Sequence, residues 1–228
     1  MKLSSKTIEI LKNFASIYPT VDFYAGNKQF VVKPDKTVVA IAEFEEEFPA
    51  NWSIYDLNTF CATLSTLEDP EIELHDKHCV ISSGDIKIEY RYSFDDNQHD
   101  YYEKVMGMKL PSEDVKFELR RDVYESVFKL ASILKLTRLI IEGDGESIYV
   151  SAVNPELGKD GSSSNKVRHK VSETDKTFVM SVKLERLRFL PDDYDVVISK
   201  AKMLEFIGKT RNIKYFMGCE GKESRFEG

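Results

Sequence analysis

The chain has 228 residues, 42% of them apolar and 31% charged, with 32 Lys and Arg against 39 Asp and Glu for a net charge of −7. That length accommodates two compact units of about 110 residues each. The acidic balance excludes a protein coated everywhere with basic residues, although it leaves room for a local basic stripe.

Aromatic residues at 11% argue against general disorder. No apolar run approaches the roughly 18 residues of a membrane span, and Lys12 stands where a signal peptide would need its apolar core. Three widely spaced cysteines, Cys61, Cys79 and Cys219, suit a reducing cytosol better than a disulfide framework.

Residues 4–17 read as an amphipathic helix. Thr7, Ile8, Leu11, Phe14 and Ala15 form its apolar stripe, with Ser5, Glu9, Lys12, Asn13 and Ser16 opposite. Ser4 or Ser5 caps its start, and Pro19 follows its end. Strand patterns cover 23–33 and 37–44, joined by a turn at Lys33-Pro34-Asp35. A second helix fits 54–67, with Leu57, Phe60, Cys61, Leu64 and Leu67 on one face. Short alternating strands follow at 71–74, 79–82 and 86–92. The acidic, aromatic segment 94–104 reads as a loop or edge, and 105–111 as an extended apolar connector.

A similar order then returns. A strand at 115–119 leads into a helix at 120–134, and strands at 137–142 and 146–152 are joined through Gly143-Asp144-Gly145, a strong hairpin signal. A loop at 158–165 precedes strands at 167–171 and 177–182. A short helix at 183–190 stops at Pro191, and strands at 194–199, 203–207 and 213–217 complete the pattern. The tail, 221–228, reads as frayed.

Shifting the sequence by 116 residues superposes 3–17 on 119–133 with five identities in fifteen: Leu3/Leu119, Glu9/Glu125, Ala15/Ala131, Ser16/Ser132 and Ile17/Ile133. Chance supplies about one. The expected architecture is therefore α+β, with two similar domains, 1–104 and 112–228, on either side of the connector 105–111. Each is expected to have two helices and a large antiparallel sheet.

Catalytic motifs fail in turn. Gly208-Lys209-Thr210 resembles the end of a phosphate-binding loop, but Met203 stands where the first glycine belongs. His75, His78 and Cys79 lack a second ligand pair at zinc spacing and read as a turn. There is no G-x-S-x-G elbow and no H-E-x-x-H. Asp95, Asp96, Asp100 and Glu103 could gather a hard cation, but such a run is usually a solvated loop. The reading is a non-enzyme without cofactor or metal.

Charge distribution is more informative. The segments 2–17, 120–135 and 183–190 each carry a net +2 in an acidic chain, whereas 54–67 carries only Asp56. One basic surface facing a polyanion explains three helices biased alike. Nothing resembles a base-stacking platform, a helix-turn-helix or a zinc finger, so the implied contact is with phosphates and indifferent to sequence.

The opening MKLSSKTIEILKNFASI and the later Tyr55-Asp56-Leu57-Asn58-x-Phe60 closely resemble the DNA polymerase sliding clamps of T-even-type bacteriophages. This resemblance implies the processivity fold shared with proliferating cell nuclear antigen. It also implies a ring of three identical subunits, with helices lining the hole and antiparallel sheets outside. Such a clamp encircles duplex DNA without regard to sequence, tethers the replicative polymerase, is loaded by an ATP-driven clamp loader, and also acts in late viral transcription. The setting is the cytoplasm of an infected bacterium, with no membrane partner.

Under this reading the DNA-facing candidates are Lys2, Lys6, Lys12, Arg120, Arg121, Lys129, Lys183, Arg186 and Arg188. Asn58, Thr59 and Thr63 make the polar side of the second helix neutral. The loose equivalents of the family's partner-peptide pocket are Val105, Met106, Leu110, Pro111, Tyr215, Phe216 and Met217. Twelve helices of about 10 Å width, two from each of six domains, would enclose a hole wide enough for duplex DNA. Two further readings compete: a sequence-independent nucleic-acid-binding regulator built from a duplicated domain, and a metal-dependent enzyme using the acidic cluster.

Overall fold

The structure, a computed structural model, describes residues 1–92, 102–155 and 165–227. The chain divides into two compact units, Met1–Met108 and Lys109–Gly228.

The first unit opens with α1 (Ser5–Ile17). Ser4 is its N-cap, and the Ser4 hydroxyl accepts from the Thr7 amide at 3.2 Å. A second cap arrives from far along the chain: the Glu46 carboxylate accepts from the Ser4 amide and, at 2.5 Å, from the Thr7 hydroxyl. Burial would raise this carboxyl, but those bonds hold it below the usual carboxylate range. The negative charge also complements the positive end of the helix dipole. The buried face comprises Thr7, Ile10, Leu11, Asn13, Phe14 and Ala15. Asn13 thus lies inside rather than on the predicted polar face, and Ile10 joins the stripe.

Strands β1 (Val21–Phe23), β2 (Gly26–Val32), β3 (Val38–Phe48) and β4 (Trp52–Ile54) follow. β1 pairs antiparallel with β4, and β2 with β3. α2 (Leu57–Thr66) starts three residues later than predicted, because Ile54 belongs to β4 and Asp56 is the N-cap. Bonds from Thr59 hold the Asp56 carboxyl below its ordinary range. β5 (Glu71–Leu74), β6 (His78–Ser83) and β7 (Ile86–Arg91) form a three-stranded antiparallel sheet in sequence order. The core is aromatic: Phe23 stacks on Phe48 at 5.0 Å and on Trp52 at 4.8 Å, and Trp52 meets the edge of Phe60 at 5.5 Å. Tyr102–Met106 forms a short helix, α3, so Val105 and Met106 are helical where an extended connector was predicted. The Gly107 and Met108 amides close that turn onto Glu103 and Val105.

The second unit contains the same order, a helix, four strands, a helical element and three strands, with one strand added before it and a two-residue strand after it. β8 (Val115–Leu119) precedes α4 (Arg121–Ile133), and then come β9 (Arg138–Asp144), β10 (Ser147–Val153), β11 (Lys166–Glu173) and β12 (Thr177–Lys183). The β9–β10 hairpin turns where Gly-Asp-Gly predicts. Gly145 has φ +90°, and the Asp144 carboxylate accepts from the Glu146 and Ser147 amides. Gly143 is needed for another reason: a Cβ there would lie 2.4 Å from the Phe178 ring.

The predicted helix at 183–190 is only a 3-10 turn, Leu184–Arg186. Beyond it the chain extends and buries Leu187, Phe189 and Leu190. Three tyrosines hold it there: Tyr215 Oη accepts from the Leu190 amide at 3.2 Å, Tyr194 Oη donates to the Leu190 carbonyl, and Tyr124 Oη donates to the Phe189 carbonyl at 3.4 Å. Burial pushes all three phenols well above the ordinary tyrosine range. These bonds and the missing amide of Pro191 replace a helical ladder. Two long helices per unit therefore hold for the first unit only, and the twelve-helix estimate of a central hole loses its basis.

β13 (Tyr194–Ser199), β14 (Met203–Gly208), β15 (Ile213–Gly218) and the two-residue β16 (Arg225–Phe226) complete the unit. Its strands run β11-β10-β9-β12-β16 in one antiparallel sheet and pair β8-β13-β14-β15 in another. The tail predicted to fray is docked on β12 through β16. Asp95, Asp96, Asp100 and most of the predicted loop 158–165 lie outside the described residues.

Candidate nucleic-acid interface

The exposed helix faces carry less positive charge than the predicted segments do. α1 presents Ser5, Lys6, Lys12 and Ser16 to solvent, α2 presents Asn58, Thr59, Ala62, Ser65 and Thr66, and α4 presents Arg121, Asp122, Glu125, Lys129 and Ser132. On α2 the hydroxyls of Thr63, Ser65 and Thr66 donate to the carbonyls four residues back, leaving a small, uncharged surface.

Most of the nine candidate cations already have partners. Lys2 bonds Asp69, and Lys6 pairs with Glu45 at 2.6 Å; these bonds hold both ammonium groups above the ordinary lysine range. Arg120 pairs with Asp122 and Arg121 with Glu125, each at 2.8 Å. Lys183 lies 4.0 Å from Glu185. Arg186 is different in kind, because it meets Glu220 at 2.6 Å with its side chain only 12% exposed. Arg188 is exposed on the extended stretch that replaces the predicted helix. Among the described residues, Lys12 and Lys129 are exposed with no carboxylate at ion-pair distance. Exposed pairs such as Lys6–Glu45 are weakly held in water and can open toward a phosphate. The Arg186 pair is not of that type.

The seven pocket candidates fall into distinct environments. Val105, Tyr215, Phe216 and Met217 are buried, Met106 and Leu110 are half-buried, and Pro111 is exposed. Tyr215 stacks on Phe189 at 4.3 Å within its own unit's core.

The phosphate-loop look of Gly208-Lys209-Thr210 has a structural cause. The buried Asp192 carboxylate accepts from the amides of Thr210 and Arg211, each at 3.0 Å, and from the Thr210 hydroxyl at 2.8 Å. The chain's own anion fills that amide nest. His75 and His78 stack at 4.8 Å beside the β5–β6 turn. Among the described residues no three His, Cys, Asp or Glu side chains gather to hold a metal ion. Burial pushes the free thiols of Cys61 and Cys219 up to about 12 and that of Cys79 to about 11.

Features outside the sequence reading also stand out. Leu130 and Ile133 on α4 are 40% and 65% exposed, and α4 packs against β10 and β11. Among the described residues β11 and β7 each have one paired neighbour. No local pattern announces either feature, although Ile133 is one of the repeat identities.

Residues 2–94 match the family model for DNA polymerase processivity factors. Over 96% of its length the chain is 29% identical to the sliding clamp of Vibrio phage KVP40, of which 99% is covered. The chain is thus similar to a phage sliding clamp along nearly its whole length. A second relative, the sliding clamp of Escherichia phage RB69, is 38% identical over 89 residues, 39% of this chain and 36% of that one. Proliferating cellular nuclear antigen from Entamoeba histolytica has the same fold, with a TM-score of 0.66 at 13% identity over 93% of this chain and 94% of that one. The chain thus shares the clamp fold, two similar units of mixed helix and antiparallel sheet. No helix among its described residues is long and apolar enough to cross a membrane.

Proposed function

We propose that three copies of this chain close head to tail into a ring around duplex DNA and tether the replicative polymerase to it. A ring needs two different, complementary surfaces on each subunit. The observation that carries the reading is a pair of strands, β7 in the first unit and β11 in the second, each with one paired neighbour among the described residues. Each edge lies near a suitable helix. Tyr90 of β7 bonds the Asp56 carbonyl at the start of α2, whose exposed face is small and uncharged. α4 packs against β11 and presents Leu130 and Ile133. Strand addition at the edges, with the apolar pair covered by α2 of the next subunit, answers both.

Lys12 and Lys129 supply mobile, water-screened attraction to phosphates without reading bases, while ring closure prevents escape. The other exposed candidates, Lys2, Lys6, Arg120, Arg121, Lys183 and Arg188, reinforce that attraction as their pairs exchange. A clamp loader opens and closes the ring by ATP hydrolysis, partner peptides engage the region of Met106, Leu110 and Pro111, and the ring serves late viral transcription in the host cytoplasm. The protein itself performs no chemistry.

Light scattering across a dilution series tests the ring: three chain masses are expected, falling only on dilution. A stable monomer at high concentration overturns the ring and promotes the duplicated nucleic-acid-binding module. Reversing both free lysines, Lys12→Glu with Lys129→Glu, is expected to leave the mass unchanged. Loader-dependent processivity should fall by at least about tenfold. Unchanged processivity would remove these two residues from the DNA path.

A further inference from the structure

Beyond β15 the chain does not trail away; it lies along the outer edge of β12, and its contacts define a site. The Cys219 amide donates to the Lys202 carbonyl at 2.9 Å, and the Glu220 amide donates to the Ser181 carbonyl at 2.8 Å. The Glu220 carboxylate meets Arg186 at 2.6 Å, with side chains 12% and 24% exposed for arginine and glutamate. The Glu223 carboxylate accepts from the Ser181 hydroxyl at 2.7 Å and from Arg138 at 3.2 Å. Ser224, itself buried, accepts the Ser181 amide on its hydroxyl at 3.0 Å. Arg225 and Phe226 then pair with Val179 and Phe178, the two phenyl rings stack at 5.8 Å, and the Glu227 amide donates to the Thr177 carbonyl at 2.9 Å.

We propose that the outer edge of β12, with Arg138, Arg186 and Phe178, is a strand-addition site for an extended peptide bearing two carboxylates ahead of an aromatic residue. The chain's own C-terminal segment is its resident occupant. Several features make the segment replaceable. It follows the last core strand, β15, and among the described residues no later element depends on it. Its ladder uses two residues of a strand that runs seven, Thr177–Lys183, so a longer peptide has more main chain to engage. Arg138 and Arg186 are largely covered, and a carboxylate is needed opposite each whenever the site is filled. Tethering gives the resident segment a high effective concentration. A partner must therefore combine the ladder, both carboxylates and the ring to displace it, which makes the site selective. The inference needs one unit of one chain and is independent of ring closure.

The test uses the full-length chain and a fluorescein-labelled synthetic peptide with the sequence of residues 220–228. Glu220→Gln with Glu223→Gln weakens the resident segment without shortening the chain. Fluorescence anisotropy should show the peptide binding this variant at least about tenfold more tightly than the unaltered chain. Hydrogen exchange at Ser181 and Glu227 should be faster in the variant, and the peptide should restore protection at Ser181. Adding Arg138→Gln and Arg186→Gln should abolish peptide binding. Unchanged protection in the variant, no peptide binding, or equal binding of a scrambled peptide would each overturn the proposal.

Discussion

Replacing Phe189 by alanine is expected to cost the fold about 3–5 kcal/mol, a large share of the stability of a domain this size. The ring is buried and meets Tyr215 at 4.3 Å, Phe206 at 4.7 Å and Tyr194 at 5.7 Å. Its removal opens a cavity among groups that cannot all move inward. Tyr194 and Tyr215 are pinned through their hydroxyls to Leu190, and Tyr124 to Phe189 itself. Collapse would break bonds that buried phenols cannot replace with water. Urea denaturation should show a lower midpoint with an unchanged slope. Phe189→Leu, which keeps more of the volume, should lose clearly less. An alanine variant as stable as the parent would mean that this cluster is not the centre of the second unit's core.

The same cluster explains why part of the fold was legible from sequence and part was not. α1 could be read because its helical period, its cap and the following proline all lie within seventeen residues. The β9–β10 turn could be read because its glycine requirement is local. Residues 183–190 also carry helical spacing, but their conformation is decided by tyrosines at 124, 194 and 215, which no window on the segment contains. β3 ran past its predicted end for a related reason. Phe44-Glu45-Glu46-Glu47-Phe48 reads as a charge run, yet both phenylalanines enter the core, Glu45 meets Lys6 and Glu46 caps α1.

Charge was harder still. Counting residues in a segment does not reveal that Arg186 is committed to Glu220 while, among the described residues, Lys12 and Lys129 have no carboxylate at ion-pair distance. The resemblance rested instead on two short motifs, at residues 1–17 and 55–60, and on the repeat, all carried in the order of residues. The surfaces on which ring closure and peptide exchange would depend arise only when distant strands are placed at an edge.

Those edges make the final expectation the sharpest for assembly. Leu130→Lys combined with Ile133→Lys should raise the subunit dissociation constant by more than about a hundredfold. Burying each apolar side chain at an interface contributes about 1.5–3 kcal/mol, and about 3 kcal/mol lost from the pair already exceeds a hundredfold. The replacement ammonium groups would also face the small, uncharged side chains on the exposed face of α2. Lysine is the informative substitution because it favours the negative end of the helix dipole. Neither side chain is core, so the isolated subunit should melt as before. Light scattering should then report monomers at concentrations where the parent and the Lys12→Glu, Lys129→Glu variant remain assembled. If the double lysine variant holds three chain masses, the exposed end of α4 faces solvent in the ring and the contact must be sought elsewhere. If assembly and processivity fall together while the fold stands, DNA retention depends on closure rather than on the affinity of any one subunit.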